Sequence, residues 1–501
     1  MHTLNVFFQS VFSLLSNPVL LFHMCWSTLL GILVGILPGL TATLGVAILT
    51  TLTFGFPAEI AIPMLLCVYV GAIYGGSRTA IVLNIPGTPA NAATTVDGFP
   101  LARSGQAGFA LNVATIMSGM GSIVGAIFIL TLAPVLGTVA LKFGSWEFAL
   151  LAIFGTIIAG SLTAPKDPLK GWIAGFLGLM IAMIGLDEIV SFPRYTFGNI
   201  QLYGGISLLP VLVGVYGIPE ILVSLKRVVK ADIVLDLSTK KRKFSYLEVI
   251  KKNVVNLIRS GVIGVMIGVI PGVGEDIAAW VAYDIAKRTS KESDKFGQGS
   301  IEGLTAAETA NNACVGGAII PVLTLAVPGS APAAVLLAAL WIHGIRAGPL
   351  LPIQHPEMIG YVASAFVVAT ILMVIFGLLV TRLFLKILLV PTEILMPIIF
   401  VLCVVGTYVL NGRLFDVWVM LLFGLLGYYM RINNFPAAPF VLGFILGPMA
   451  DTNIRRALML TNGDISPFFT RPISLGLVVA IILVIVSRYI PKRSRGGEKN
   501  G

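Results

Sequence analysis

The 501-residue chain is 57% hydrophobic and 11% charged, with a net charge of +10. A soluble domain holds about 25% charged residues, so this chain has too few to coat a soluble surface, and its apolar content is too high for disorder. A soluble enzyme is excluded, and the length suits roughly ten to twelve membrane spans of about 20 residues plus connections.

In chain order, Met1 to Ser77 contains no Lys or Arg. The first apolar segment therefore lacks the basic flank of a cleavable signal peptide and reads as a retained helix. Segments long and clean enough to span are Val19–Ile36, Phe109–Leu132, Trp146–Leu162, Gly171–Ile189, Ser207–Val223, Gly360–Val380, Leu395–Leu410, Phe415–Tyr429 and Ile473–Ile490. Shorter apolar pieces broken by Pro and Gly lie between them: Ala42–Phe54, Ile60–Tyr74, Thr79–Ile85, Ile263–Ile270, Ile277–Ile285, Ala318–Val327 and Pro332–Ile345. Irregular backbone at membrane depth is tolerated only where protein or a watery cavity covers it. The broken pieces are thus where function is expected.

The pieces recur. Gly35-Ile-Leu-Pro38-Gly39 returns as Gly268-Val-Ile-Pro271-Gly272, an offset of 233. Gly75-Gly76 followed by Pro86-Gly87-Thr88 returns as Gly316-Gly317 followed by Pro328-Gly329-Ser330, an offset of 241 to 242. Matched broken segments in two halves are the sequence pointer to a secondary transporter's binding site. The expected organisation is a first membrane repeat at 1–225, a basic linker at 226–259, and a second repeat with C-terminal helices at 260–501. The linker holds ten basic residues against Asp232, Asp236 and Glu248, a net of +7, so basic membrane loops explain the charge and no nucleic-acid partner is implied. Within it Phe244, Leu247, Ile250, Val254 and Ile258 recur at helical steps, which reads as an amphipathic helix on the bilayer surface; a solvated linker is the plainer alternative. Clustered Lys and Arg place the linker and the C-terminal tail in the cytoplasm.

Three motifs carry polar chemistry. In Asn84-Ile-Pro-Gly-Thr-Pro-Ala-Asn91 the prolines stop a helix, and a restart near Thr88 offers free N–H groups and a positive dipole end to a carboxylate. In Glu302-Gly-Leu-Thr-Ala-Ala-Glu308-Thr-Ala-Asn311-Asn312, one helical face presents Glu308, Asn311 and Asn312, a set suited to Na⁺ or to carrying a proton. A hydrated loop or a helix cap is the competing reading of Glu302 and Glu308. The motif continues through Thr324 to Gly329-Ser330. The third motif is the pair of Pro-Gly turns, Gly39 followed by Thr41 and Gly272 followed by Asp276, where plain capping competes with function. Arg78, the first positive charge in the chain, either pairs with a substrate carboxylate or snorkels to the interface.

Enzyme signatures fail. There is no P-loop, no H-E-x-x-H and no G-x-S-x-G. The four cysteines, Cys25, Cys67, Cys314 and Cys403, lie in apolar segments without metal spacing and read as small core residues.

Gly35-Ile-Leu-Pro-Gly39, Tyr74-Gly-Gly-Ser77, Asn84-Ile-Pro-Gly-Thr-Pro89, Asp97-Gly-Phe-Pro100 with Gly105-Gln-Ala-Gly108, Ala307-Glu-Thr-Ala-Asn-Asn312 and Leu325-Ala-Val-Pro-Gly-Ser330 together resemble the large membrane subunit of the tripartite tricarboxylate transporters. The resemblance runs from about Gly31 to Gly348. It implies a bacterial inner-membrane carrier working with a small four-span membrane subunit and a periplasmic solute-binding protein, importing a di- or tricarboxylate on a Na⁺ or H⁺ gradient. The expectation is an all-α polytopic membrane protein with about 10–12 transmembrane helices in two homologous halves and paired broken or re-entrant helices. It has no cofactor beyond Na⁺ or H⁺ as coupling ion. Substrate is expected at Asn84, Gly87, Thr88, Asn91, Thr324, Gly329 and Ser330, with Arg78. Ion coupling or site organisation falls to Glu308, Asn311, Asn312, Glu302, Gly39, Thr41, Gly272 and Asp276, with a candidate Na⁺ site near Glu308, Asn311 and Asn312. A passive anion channel and an intramembrane enzyme are the rival classes.

Overall fold

The computed structural model describes residues 2–37, 39–164, 167–226, 246–380 and 392–489. Most of the basic linker (227–245) and the basic tail after Tyr489 lie outside the described residues. The helices are α1 (His2–Ser16), α2 (Pro18–Ile36), α3 (Ala42–Leu52), α4 (Ala58–Leu83), α5 (Ala92–Leu101), α6 (Ala107–Ala140), α7 (Ser145–Thr163), α8 (Pro168–Ala182), α9 (Leu208–Leu225), α10 (Tyr246–Val269), α11 (Gly274–Thr289), α12 (Ile301–Leu325), α13 (Ala331–Ile342), α14 (Met358–Leu379), α15 (Thr392–Asn411), α16 (Leu414–Ile432), α17 (Ala437–Leu460) and α18 (Pro472–Tyr489). Ten helical stretches among the described residues are long and apolar enough to cross a membrane. The only sheet among them is one short pair, Gly185–Leu186 against Pro193–Arg194. The chain is an all-α polytopic membrane protein.

Several sequence boundaries move. Ile60–Tyr74 and Thr79–Ile85 are one helix, α4. Pro63 lacks the N–H that would bond the Glu59 carbonyl, and the Tyr361 hydroxyl of α14 donates to that carbonyl instead at 2.5 Å. Ala318–Val327 is the end of α12. Gly171–Ile189 is shorter than read, since α8 stops at Ala182 and a hairpin follows. The linker limit at 259/260 falls inside α10, which runs unbroken. That helix buries Asn253, Asn256 and Ser260 with Gly261 and Gly264, and exposes Leu247, Val254, Val255, Ile258, Val262 and Met266. An apolar face turned outward and a polar face turned inward suit lipid surroundings.

The core is two helix pairs packed in matching register. A Cβ on Gly31 would strike the Val68 carbonyl, and one on Gly35 would strike Ala72 and Gly75. In the second pair Gly264 meets Ala310, and Gly268 meets Cys314 and Gly317. The offset is 233 on α2 against α10 and 242 on α4 against α12 throughout. Gly75 therefore matches Gly317, one residue on from the sequence pairing with Gly316. Small residues let the backbones approach this closely. Numbering rises together along α2 and α4, and along α10 and α12. Across the halves it opposes: Tyr69 is within electrostatic reach of Cys314, and Arg78 of Glu308. The two pairs are thus related by inversion.

Candidate functional site

Each half ends its central helix in the same way. α4 stops at Asn84 with φ 57°, and α12 stops at Ala326 with φ 56°. Pro86-Gly87 and Pro328-Gly329 then turn the chain back. A Cβ on Gly87 would strike the Gly35 carbonyl, and one on Gly329 the Gly268 carbonyl, so only glycine fits. Extended Thr88 and Ser330 follow, each before a helical restart with proline in its first turn, Pro89 and Pro332.

The restarts face a cavity of about 360 Å³ between the halves. Five helical N-termini converge on it: α3 through Thr41–Thr43, the turn into α5 through Thr88–Ala90, α11 through Gly274–Asp276, α13 through Ala331 and Pro332, and α17 through Pro436–Ala438. Thr163, Tyr216, Ile73, Gly272 and Val273 complete the lining. Each N-terminus carries unpaired backbone N–H groups and about half a positive elementary charge. The lining holds no Lys or Arg, and its ionisable side chains are Tyr216, Glu275 and Asp276. Thr41 and Ser330 cap their helices by accepting from Leu44 N (3.2 Å) and Ala333 N (3.4 Å).

Four expected site residues line this cavity: Thr41, Thr88, Gly272 and Asp276. The others do not. Asn91 is buried behind it, accepting from the Thr88 hydroxyl (2.6 Å) and donating to the Ile73 carbonyl (3.1 Å). Gly87 and Gly329 are packing points, and exposed Asn84 is the left-handed cap of α4. Thr324 donates to the Ile320 carbonyl within α12. Gly39 faces Ser224 and Glu220 of α9, and Glu302 accepts from Asn256 through its main chain. Arg78 is buried away from the cavity. It donates to the Leu111 carbonyl (3.0 Å) and to Thr115 (2.6 Å), and lies 4.5 Å over the Tyr74 ring.

Glu308 is fully buried and accepts from Thr94 of the first half (2.5 Å) and Ser118 of α6 (2.7 Å). Neither amide atom of Asn311 nor the Asn312 carbonyl oxygen has a hydrogen-bond partner among the described residues. Tyr69, in the middle of an apolar run without a motif, was invisible in the sequence. Its hydroxyl bonds to Glu275 and, at 2.6 Å, to Ser330. The start of α17 was also missed, although Asn433-Asn434-Phe435-Pro436 before an apolar run is a helix-start signal.

A second cavity of about 680 Å³ lies under the loop after α8. There Asp187 pairs with Arg455 (2.6 Å) and Arg194 (3.4 Å), and Arg194 also holds Asp451 (2.9 Å). The Arg455 hydrogen bond, then the Val190 and Ile189 N–H groups, hold the Asp187 carboxyl well below the usual carboxylate range.

Comparison with known proteins agrees with this architecture. The model of the Tripartite tricarboxylate transporter TctA family matches residues 21–442. An Agrobacterium vitis protein described as "Uncharacterized 52.8 kDa protein in TAR-I ttuC' 3'region" is 35% identical over 467 residues, covering 92% of each chain. A second from the same organism, "Uncharacterized protein in TAR-II ttuC' 3'region", is 34% identical over 229 residues, 45% of this chain and 95% of its own. No solved structure matches. With a match that covers both inverted helix pairs and the cavity between them, the chain belongs to the tripartite tricarboxylate transporter TctA family.

Proposed function

We propose that this chain is the permease subunit of a binding-protein-dependent secondary carrier that imports a di- or tricarboxylate across the bacterial inner membrane. The observation that carries the reading is the convergence of five helical N-termini on one cavity at the junction of two inverted halves. Backbone N–H groups with the hydroxyls of Thr41 and Thr43 hold the carboxylates, while the Thr88 hydroxyl is committed to Asn91. A small four-span membrane subunit and a periplasmic binding protein complete the carrier, and the binding protein delivers the substrate. The Glu308 brace and the amides of Asn311 and Asn312 organise the core. If Na⁺ is the coupling ion, those amide oxygens are its candidate ligands.

Sidedness follows from charge. α9 enters and α10 leaves the basic linker, so these ends face the cytoplasm. α6 rises beside α12 from the same face, which puts the α6–α7 turn outside. Glu147 at the start of α7 holds Arg471 before α18 at 2.7 Å, so α18 returns the C-terminus to the cytoplasm.

The test is uptake by vesicles carrying all three components under imposed Na⁺ or H⁺ gradients. Saturable uptake that needs both the binding protein and a gradient is expected. Uptake indifferent to removing the binding protein and to collapsing both gradients sinks the carrier and favours a channel.

A further inference from the structure

The cavity is chemically lopsided. At matched positions of the two halves stand Ala42 and Thr43 on one side and Glu275 and Asp276 on the other, by the 233 offset. The first side is neutral. The second sets two carboxyl groups against the place where an anion binds. Glu275 is buried, and among the described residues neither acid forms an ion pair. The titratable groups facing Glu275 are Tyr69 of α4, Asp276 beside it on α11 and Cys314 of α12, with Tyr216 of α9 near Asp276. None of these is a cation.

An ionised Glu275 and a bound carboxylate are like charges sharing one low-dielectric site, and they cannot both stay ionised without large cost. We propose that Glu275 is the proton carrier of the transport cycle, protonated while substrate occupies the cavity and deprotonated after release. This rests on the carrier reading above and names its coupling ion. A hard cation needs a shell of oxygen ligands. Glu275 is met by the hydroxyls of Tyr69 and Ser330, too few for such a shell and enough to hold a proton.

The hydroxyl chain transmits the change. With Glu275 ionised, Tyr69 donates to the carboxylate and Ser330 donates to Tyr69. With Glu275 protonated, its O–H donates to Tyr69, and Tyr69 turns to donate to Ser330. The change thus reaches Ser330, the cap of α13, whose neighbours Ala331 and Pro332 line the cavity. One proton enters from the periplasm with the substrate and leaves to the cytoplasm after it. Tyr69 belongs to one half, and Glu275 and Ser330 to the other, so the switch sits on the seam between them.

The experiment uses proteoliposomes holding the complete carrier and its binding protein. The probe is whichever of radiolabelled citrate, succinate and malate the wild type exchanges fastest. Two readouts are taken: gradient-free exchange, and accumulation driven by an inward pH gradient at fixed Na⁺. For Glu275→Gln, accumulation driven by the pH gradient is expected to fall by roughly tenfold or more, the scale of a binding linkage, and the exchange measured is expected to be independent of pH. Tyr69→Phe, which keeps the carboxyl, is expected to shift the pH profile of exchange and to retain accumulation. Wild-type accumulation by Glu275→Gln overturns the proposal, as does wild-type accumulation that follows Na⁺ and ignores pH. If Glu275→Gln does not insert, an unshifted profile in Tyr69→Phe overturns it. A wild type that shows no exchange fails the carrier reading itself, a different result from any of these.

Discussion

Asn84 and Ala326 share a left-handed backbone, but only one is suited to it. Asn tolerates that region through local hydrogen bonding, whereas Ala carries a Cβ penalty of about 1–2 kcal/mol. Ala326→Gly is therefore expected to stabilise the protein by about 1 kcal/mol, read as a higher unfolding temperature in detergent. At this scale the sequence was partly legible. Thr41, Thr88, Gly272 and Asp276 were found because a break in an apolar run places polar atoms at a helix start. Asn84 stood out for its motif, yet its job is conformational. Arg78 stood out for its charge, yet a carbonyl, a hydroxyl and an aromatic face hold it inside the core. Tyr69 gave no signal, since one tyrosine among aliphatic residues reads as core until its partner 206 positions away is known.

Among the elements, the connection between the halves is unusually polar. Asp97 of α5 accepts from the N–H groups of Gly297, Gly299 and Ser300 at 2.8–2.9 Å and from the Tyr283 hydroxyl at 2.9 Å. Asp97→Ala leaves four donors without an acceptor, two of them buried (the Ser300 N–H and the Tyr283 hydroxyl), a loss of about 2 kcal/mol or more. Thermal unfolding in detergent checks this, and an unchanged midpoint would show the staple to be idle. The outer hairpin behaves differently with acid. The folded Asp187 carboxyl titrates below its unfolded value, so its contribution is complete above the ordinary carboxylate value of about 3.9 and is lost as pH falls from there through the lower folded value. The unfolding midpoints of wild type and Asp187→Asn should therefore differ at neutral pH and converge in acid. Neither device was readable in advance. Asp97 sits in a recognisable motif, but its donors lie 200 residues on, and the hairpin was read as the end of a span. Helix type and number were legible because apolar length is a local property. Gly75-Gly76-Ser77-Arg78 misled the reading of α4, which runs through them unbroken because Gly75 packs on α2.

For the whole molecule, duplication was the legible feature and orientation was not. Offsets in a sequence have no direction. Direction emerged only from which residues meet: numbering runs together within each half and opposes across them. Backbone contact at glycine packs α2 on α4 and α10 on α12, and it also joins the halves, where Gly121 and Gly125 of α6 meet Thr309 and Gly316 of α12, so these helices form one block.

The ring of helix starts has a consequence for inheritance. On the carrier reading its recognition chemistry resides mostly in peptide N–H groups, which every residue except proline possesses, so a non-proline substitution in the lining changes the room available without deleting a donor. On that reading, a change in the volume of the lining alters which carboxylate fits while the glycine contacts that hold the frame stay as they are.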